Sequence, residues 1–287
     1  MRALLVVNPH SRRGRRLGKV VRADLTRRGV EVVEKHDAQP IDAIVAAGGD
    51  GTLAPLIARA IALRVPIGLV PLGTFNELAR TLEIPFDVGE ACDAIAAGRT
   101  RTIDVARVNG AYYTNEASIG ISSRLARLQR PVDKQRFGLL GVAMSALGAL
   151  GQLGIVRPFR VELAYAGTTA RFKAIQLTVA NSHRFGGFVS VDGAGIDDGW
   201  LDCYAVEIES FRDFLGVAGA IVTGRRRPVP GLRTYRATAF TVTTHHPHRI
   251  TADGEPAGKT PATFEIVPNA LRVFVPPAKT FRPEARI

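Results

Sequence analysis

Ala46-Ala47-Gly48-Gly49-Asp50-Gly51-Thr52 is the stretch on which the reading of this 287-residue chain turns. It follows the apolar run Ala43 to Ala47 and precedes Leu53 to Leu63, whose apolar residues recur at helical spacing. Strand, glycine turn and helix in that order make a phosphate cradle. Three glycines allow positive φ and close backbone approach, so amide N–H groups and the helix N-terminus can face anionic oxygens. Asp50 would repel a phosphate it touched, so its task is to hold a Mg²⁺ through water or to orient a neighbouring group.

The same design recurs outward from this turn. Ile67 to Val70 reads as a strand, Pro71-Leu72-Gly73-Thr74-Phe75-Asn76 as a turn and Glu77 to Leu82 as a helix. Thr74 and Asn76 bring short hydrogen-bonding side chains to a helix start, where capping alone would also explain them. Upstream, Ala3 to Val7 is β-prone and ends at a third turn, Asn8-Pro9-His10-Ser11; Gly14 to Arg28 carries helix formers, and Val30 to Glu34 alternates. Strand and helix in repetition predict an α/β N-terminal domain with a mostly parallel sheet, whose three turns leave at the carboxyl ends of the strands, where ligands bind. One link resists. From His36 to Asp42 there is no room for a crossover helix, and parallel neighbours need about a dozen connecting residues. The place of the second strand stays open.

After Arg101 the texture changes. Arg160 to Ala164, Phe172 to Ala180, Leu201 to Glu207, Ala237 to Thr244 and Thr263 to Val267 are short, β-prone and punctuated by Gly, Asn or Pro. They predict a second, largely antiparallel β domain beginning near residue 107. Within it, Phe137 to Val156 is 20 residues without a charge, diluted by five glycines. Leu139, Ala143, Leu147, Leu150 and Leu153 fall near helical spacing, which favours a helix buried against protein or lying on a membrane over a true span. Arg124, Arg127, Arg130, Lys134 and Arg136 precede it and suit an anionic lipid surface, or equally a solvated face.

Composition sets the outer limits. With 46% apolar and 22% charged residues the chain is neither disordered, collagen-like nor a small disulfide scaffold. Cys92 and Cys203 lie in no metal or redox spacing and read as core residues. Met1 to Val7 meets Asn8-Pro9 without a signal-peptide apolar region, which predicts a cytoplasmic location. The net charge of +12 attracts nucleic acid, anionic lipid or phosphorylated ligands, but only six of the 38 basic residues are Lys and aromatic content is 7%, so no base-stacking platform is evident.

Several tempting motifs fail on physics. Gly254 to Thr260 is one residue short of a P-loop and meets Pro261 where a helix must continue, so it reads as a surface turn. His245, His246 and His248 would alternate faces of a strand, as exposed histidines rather than a metal set. Asp192 to Asp202 lacks the calcium-loop spacing, and Ala117-Ser118-Ile119-Gly120 lacks the first glycine of a hydrolase elbow.

Taken in order, Asn8 to Ser11, Gly48 to Thr52, Pro71 to Asn76, Ile103-Asp104-Val105, Tyr113-Thr114-Asn115, Asn181-Ser182 with Gly186-Gly187, Ile196 to Asp202 and Asp253-Gly254-Glu255 resemble the bacterial lipid kinases with a diacylglycerol kinase catalytic domain. GGDGT alone is shared with the NAD kinases; the ordered set with the late DGE is specific. The resemblance covers nearly the whole chain. It implies a NAD kinase-like α/β domain over 1–106, rejoined by 276–287, and a β-sandwich domain over 107–275.

The resemblance also implies ATP and Mg²⁺ as cofactors and transfer of a γ-phosphoryl group to a lipid hydroxyl, with diacylglycerol as the leading acceptor. ATP would contact Asn8, Ser11, Gly48, Gly49, Asp50, Gly51, Thr52, Gly73, Thr74 and Asn76. Glu255 resembles the general base, with Asp253 beside it; Asp50 and Asp104 belong to a water-linked acidic network around the catalytic Mg²⁺. Asp198, with main-chain oxygens near Gly195 and Trp200, resembles a separate structural Mg²⁺ site. From the residues alone, Asp253-Gly254 is also ordinary turn chemistry. The expected partners are a membrane lipid and an anionic membrane surface met peripherally, with no nucleic acid; a homodimer stays open. The chain departs from the family pattern at Glu77, where Asp is usual, at Arg12-Arg13, where Gly follows Ser, and in the missing helix before the GGDGT strand. A soluble-metabolite kinase of the NAD kinase type and a non-catalytic nucleotide-binding lipid sensor are the alternatives.

Overall fold

The computed structural model describes residues 1–8, 12–34, 39–120, 158–181, 184–185, 189–190, 195–207 and 231–277. They divide between two compact units, Met1–Ile103 with the segment from Ala270 onward, and Asp104–Asn269. The apolar stretch 137–156, its basic flank and Ser11 lie outside the described residues.

In chain order the first unit contains β1 (Arg2–Val7), α1 (Arg12–Arg27), β2 (Glu31–Val33), β3 (Ala43–Gly48), α2 (Asp50–Leu63), β4 (Ile67–Pro71), α3 (Glu77–Thr81) and α4 (Val88–Ala96). The strands run β2-β1-β3-β4, every pair parallel. β3 is buried along its whole length, as a strand with no polar face must be when both sides of its sheet are covered. The open question of the second strand is answered by this order. β2 is a three-residue edge strand on the far side of β1 from β3, so the short link after it joins strands that are not neighbours. The helix α4 has no counterpart in the sequence reading. Its start is marked by Asp87, whose carboxylate accepts the Glu90 amide at 3.1 Å, and its Ala91, Cys92, Ala94 and Ile95 are buried. Helix α2 begins at Asp50, three residues earlier than its apolar pattern suggested.

The second unit takes up the chain within β5 (Thr100–Val108) and continues with β6 (Ala111–Tyr113), β7 (Glu116–Gly120), β8 (Phe159–Tyr165), β9 (Thr168–Ala174), β10 (Gln176–Ala180), β11 (Arg184–Phe185), β12 (Val189–Ser190), β13 (Leu201–Val206), β14 (Leu232–Ala237), β15 (Ala239–Thr244), β16 (Arg249–Ala252), β17 (Glu255–Lys259) and β18 (Ala262–Phe274). One antiparallel sheet has the order β14-β13-β10-β7-β16-β17; the first half of β18 joins β15, β8 and β9 in another. Ile119, Leu177, Cys203 and Ile250 of the former meet Leu163, Phe172, Phe240, Val242 and Phe264 of the latter in one buried cluster, which makes the unit a sandwich. The last residues of β18 belong to the first unit, where Val273 lies opposite Ile67 of β4 in parallel.

Three details depart from the sequence reading. Phe172 to Ala180 divides at Ile175 into β9 and β10, and β18 is far longer than Thr263 to Val267. Glu255 to Lys259 of the false P-loop is a strand rather than a turn. His245 and His246 lie past the end of β15, so alternation does not separate them; their Nδ1 and Nε2 atoms are 3.0 Å apart.

Candidate functional site

Register brings the turns of the first unit level. Val7 pairs with Ala47 and Gly48 with Pro71, so β1, β3 and β4 end together, and the Asn8 amide donates to the Ala47 carbonyl at 3.3 Å. Gly49 is the N-cap of α2 and has no side chain to cap it; the Thr52 and Leu53 amides turn back onto its carbonyl. No side chain covers the start of the helix, which leaves its positive end open. A Cβ on Gly48 would overlap the Thr52 hydroxyl, and that hydroxyl is buried with no hydrogen-bond partner. A glycine cradle, an uncapped helix N-terminus and an orphaned buried hydroxyl fit an anionic phosphate group.

Asp50 turns away from that cradle and closes the next one. Its Oδ2 accepts the Asn76 amide at 3.0 Å and its Oδ1 the Glu77 amide at 2.9 Å, which caps α3 from outside that helix. Of its two expected tasks, the orienting one is realised directly. Asn76 is buried in the left-handed region at φ 49°, and its side chain spans Gly73, accepting that residue's N–H at 3.1 Å and donating to its carbonyl at 2.8 Å. Its amide therefore shapes the turn and is not presented to a ligand. Thr74 stands exposed on the rim.

In the second unit, Asp253 and Gly254 both have positive φ, 46° and 85°, and join β16 to β17 by a two-residue turn with Ala252 opposite Glu255. Asp253 is partly exposed as a residue, but four donors enclose its carboxylate. Oδ2 accepts the Thr114 amide at 2.8 Å and hydroxyl at 3.1 Å, and Oδ1 the amides of Asn115 at 3.0 Å and Glu116 at 3.1 Å. Its pKa is raised, because burial outweighs the downward pull of these donors. A carboxylate so committed fixes the hairpin rather than moving protons. Glu255, the next side chain but one, is exposed and has no hydrogen-bond or ion-pair partner among the described residues. The motif Tyr113-Thr114-Asn115, to which the residues alone gave no task, is thus the mount of the Asp253-Gly254 turn.

Asp104 is buried and equally committed, its Oδ2 accepting the Gly199 amide at 2.7 Å and its Oδ1 the Asn269 amide at 2.7 Å. Asn181, buried beside it, donates to the carbonyls of Asp104 and Thr114, each at 3.1 Å, linking the two carboxylate mounts. The expected structural Mg²⁺ site is a different matter. Asp198 accepts the N–H of Gly195 at 2.8 Å and of Trp200 at 3.0 Å, so both residues offer it donors, and the Arg236 guanidinium pairs with its Oδ2. The guanidinium already neutralises the one carboxylate of this loop's expected set, so a divalent cation would meet a cation beside its only acidic ligand, and the side chains do not fit it. No group of three or more His, Cys, Asp or Glu among the described residues could hold a metal ion. No helix among them is long and apolar enough to cross a membrane.

Two family profiles divide the chain between them: the diacylglycerol kinase catalytic domain over residues 2–108, and the YegS C-terminal NAD kinase beta sandwich-like domain over residues 116–275. A diacylglycerol kinase of Bacillus subtilis (strain 168) is 29% identical over 242 residues, covering 83% of this chain and 79% of that protein. A diacylglycerol kinase of Staphylococcus aureus (strain JH9) is 26% identical over 239 residues, covering 82% and 75%. The solved structure of a diacylglycerol kinase from Bacillus anthracis str. Sterne superposes with a TM-score of 0.75 at 21% identity, over 96% of this chain and 98% of that one, and shares its fold. The glycine cradle ahead of a β-sandwich with its pinned Asp-Gly-Glu turn thus has a family, and this chain belongs to it: the kinase family that joins a diacylglycerol kinase catalytic domain to a NAD kinase-like β-sandwich domain.

Proposed function

We propose that the chain is an ATP- and Mg²⁺-dependent lipid kinase that transfers the γ-phosphoryl group to a lipid hydroxyl, with diacylglycerol as acceptor and phosphatidic acid as product. The observation that carries this reading is the contrast among the acidic side chains. Asp50, Asp104 and Asp253 spend their oxygens on backbone amides and the Thr114 hydroxyl, whereas Glu255 stands exposed on a turn that is itself held by four hydrogen bonds. A carboxylate with no partner among the described residues, on a fixed mount, suits a general base.

In this reading the turn Gly48–Thr52 holds the phosphates by backbone N–H groups and the Thr52 hydroxyl. Glu255 takes the proton of the lipid hydroxyl as its oxygen bonds to the γ-phosphorus and the bond to the bridging oxygen breaks, releasing ADP. Mg²⁺ bound with the nucleotide would offset the phosphate charge, and each Asp50 oxygen keeps a lone pair for a water between them. The charge of +12 favours peripheral contact with an anionic membrane surface.

The test is transfer of label from γ-labelled ATP to lipid in mixed micelles containing diacylglycerol, repeated with a whole lipid extract. The wild type labels lipid and Glu255→Gln loses activity by about 10²–10⁴-fold, the worth of a general base. Label on no lipid, with Glu255→Gln indistinguishable from wild type, overturns the reading; label on a soluble metabolite alone would assign a NAD kinase-type acceptor instead.

A further inference from the structure

The surroundings of Asp198 hold a cation made of protein. Arg236 lies directly opposite Asp202 in the β13–β14 register. From there its guanidinium pairs with Asp198 Oδ2, places Nε 3.8 Å from Asp202 Oδ1, and lies 5.9 Å from the centre of the Trp200 ring. Two carboxylates on one short stretch, Asp198 and Asp202, would repel each other if left alone. The guanidinium stands between them.

We infer that Arg236 is the resident cation of the 195–202 loop and strand, doing with a side chain what a divalent ion does elsewhere, so that this loop closes without metal. Geometry favours arginine for the task, since a planar fork can address two carboxylates at once while a lysine offers a single point charge. An incoming Mg²⁺ would have to displace the guanidinium that already pairs with Asp198 and lies beside Asp202. The consequence reaches further along the loop. Gly199, between Asp198 and Trp200, donates to Asp104 at 2.7 Å, so Arg236 acts as a positioning residue for the Asp104 carboxylate.

Trp200 is the chain's single tryptophan and is 45% exposed, so its fluorescence reports on this loop alone. The experiment compares emission and acrylamide quenching of the full chain in excess EDTA and in millimolar Mg²⁺, without nucleotide or lipid. Wild type shows the same emission and quenching in both. Arg236→Gln raises quenching by about twofold as the loop opens locally, and Arg236→Lys, which keeps the charge, restores most of the protection. A saturable Mg²⁺-dependent change in wild-type Trp200 emission overturns the inference, as does unchanged quenching in Arg236→Gln. The wild-type titration decides the question even if the glutamine variant fails to fold. With no substrate present, the result is also independent of whether the chain phosphorylates lipid.

Discussion

Gly49 and Gly73 meet backbone to backbone where β3 and β4 end: a Cβ on Gly49 would stand 3.0 Å from Gly73 Cα, and one on Gly73 would overlap Gly49 Cα. Gly73 cannot carry a side chain while the turns keep this approach, and Gly49 could do so only if Gly73 gives way by a few tenths of an ångström. Gly73→Ala should therefore cost about 2–3 kcal/mol of stability, as overpacking does in a rigid site, and Gly49→Ala less. Urea denaturation of the two variants beside wild type measures the order; equal, negligible losses would mean the turns are not in contact.

Asp50 ties these turns to α3 through the amides of Asn76 and Glu77. Asp50→Ala leaves two amides at a helix start without their charged acceptor, a loss of about 2 kcal/mol. The same variant should lose most of the thermal stabilisation that ATP with Mg²⁺ gives the wild type, read as the shift in melting temperature. A variant with wild-type stability and an undiminished nucleotide shift would remove Asp50 from the site.

Asp253 and Glu255 are two residues apart and should fail differently. Asp253→Ala strands three amides and a hydroxyl and should cost about 3 kcal/mol. Glu255→Gln, at an exposed position, should stay within about 0.5 kcal/mol of wild type while losing transfer. Denaturation curves and the labelled-ATP assay on the same preparations separate mount from base; a stable Asp253→Ala would contradict the hydrogen-bond assignment.

Burial pushes the Cys92 thiol up to about 11 from an ordinary 9.0, and shifts Cys203 further in the same direction. Both should ignore a thiol reagent at pH 8 until the protein unfolds, because the thiolate is the reactive form. A raised thiol pKa favours the protonated native state. Its stabilising contribution is thus whole below pH 9.0 and is lost as pH rises through about 11. Melting temperatures across that range, beside Cys92→Ala, test the sign.

Much of the architecture was legible because it rests on local rules. The apolar run read from Ala43 to Ala47 is the core of the fully buried central strand Ala43–Gly48, and the Asp-Gly pair at 253–254 takes the two-residue turn its positive φ allows. The helix Val88–Ala96 was also written locally, in the Asp87 to Glu90 cap, but its short alanine-rich face gives little apolar contrast.

The sequence by itself determined the strand–turn–helix units around the glycine cradle, the change to β-prone segments after residue 101, and the family, since these depend on residue type and spacing along the chain. What each carboxylate does was decided only by tertiary structure. Asp50, Asp104, Asp198 and Asp253 are alike as residue types; they differ in the donors that the folded backbone brings to them from 26, 95, 3 and 139 residues away. A carboxylate's chemistry follows from what occupies its lone pairs, and apart from the local amides around Asp198, no spacing along the chain foretells which amide or guanidinium will arrive.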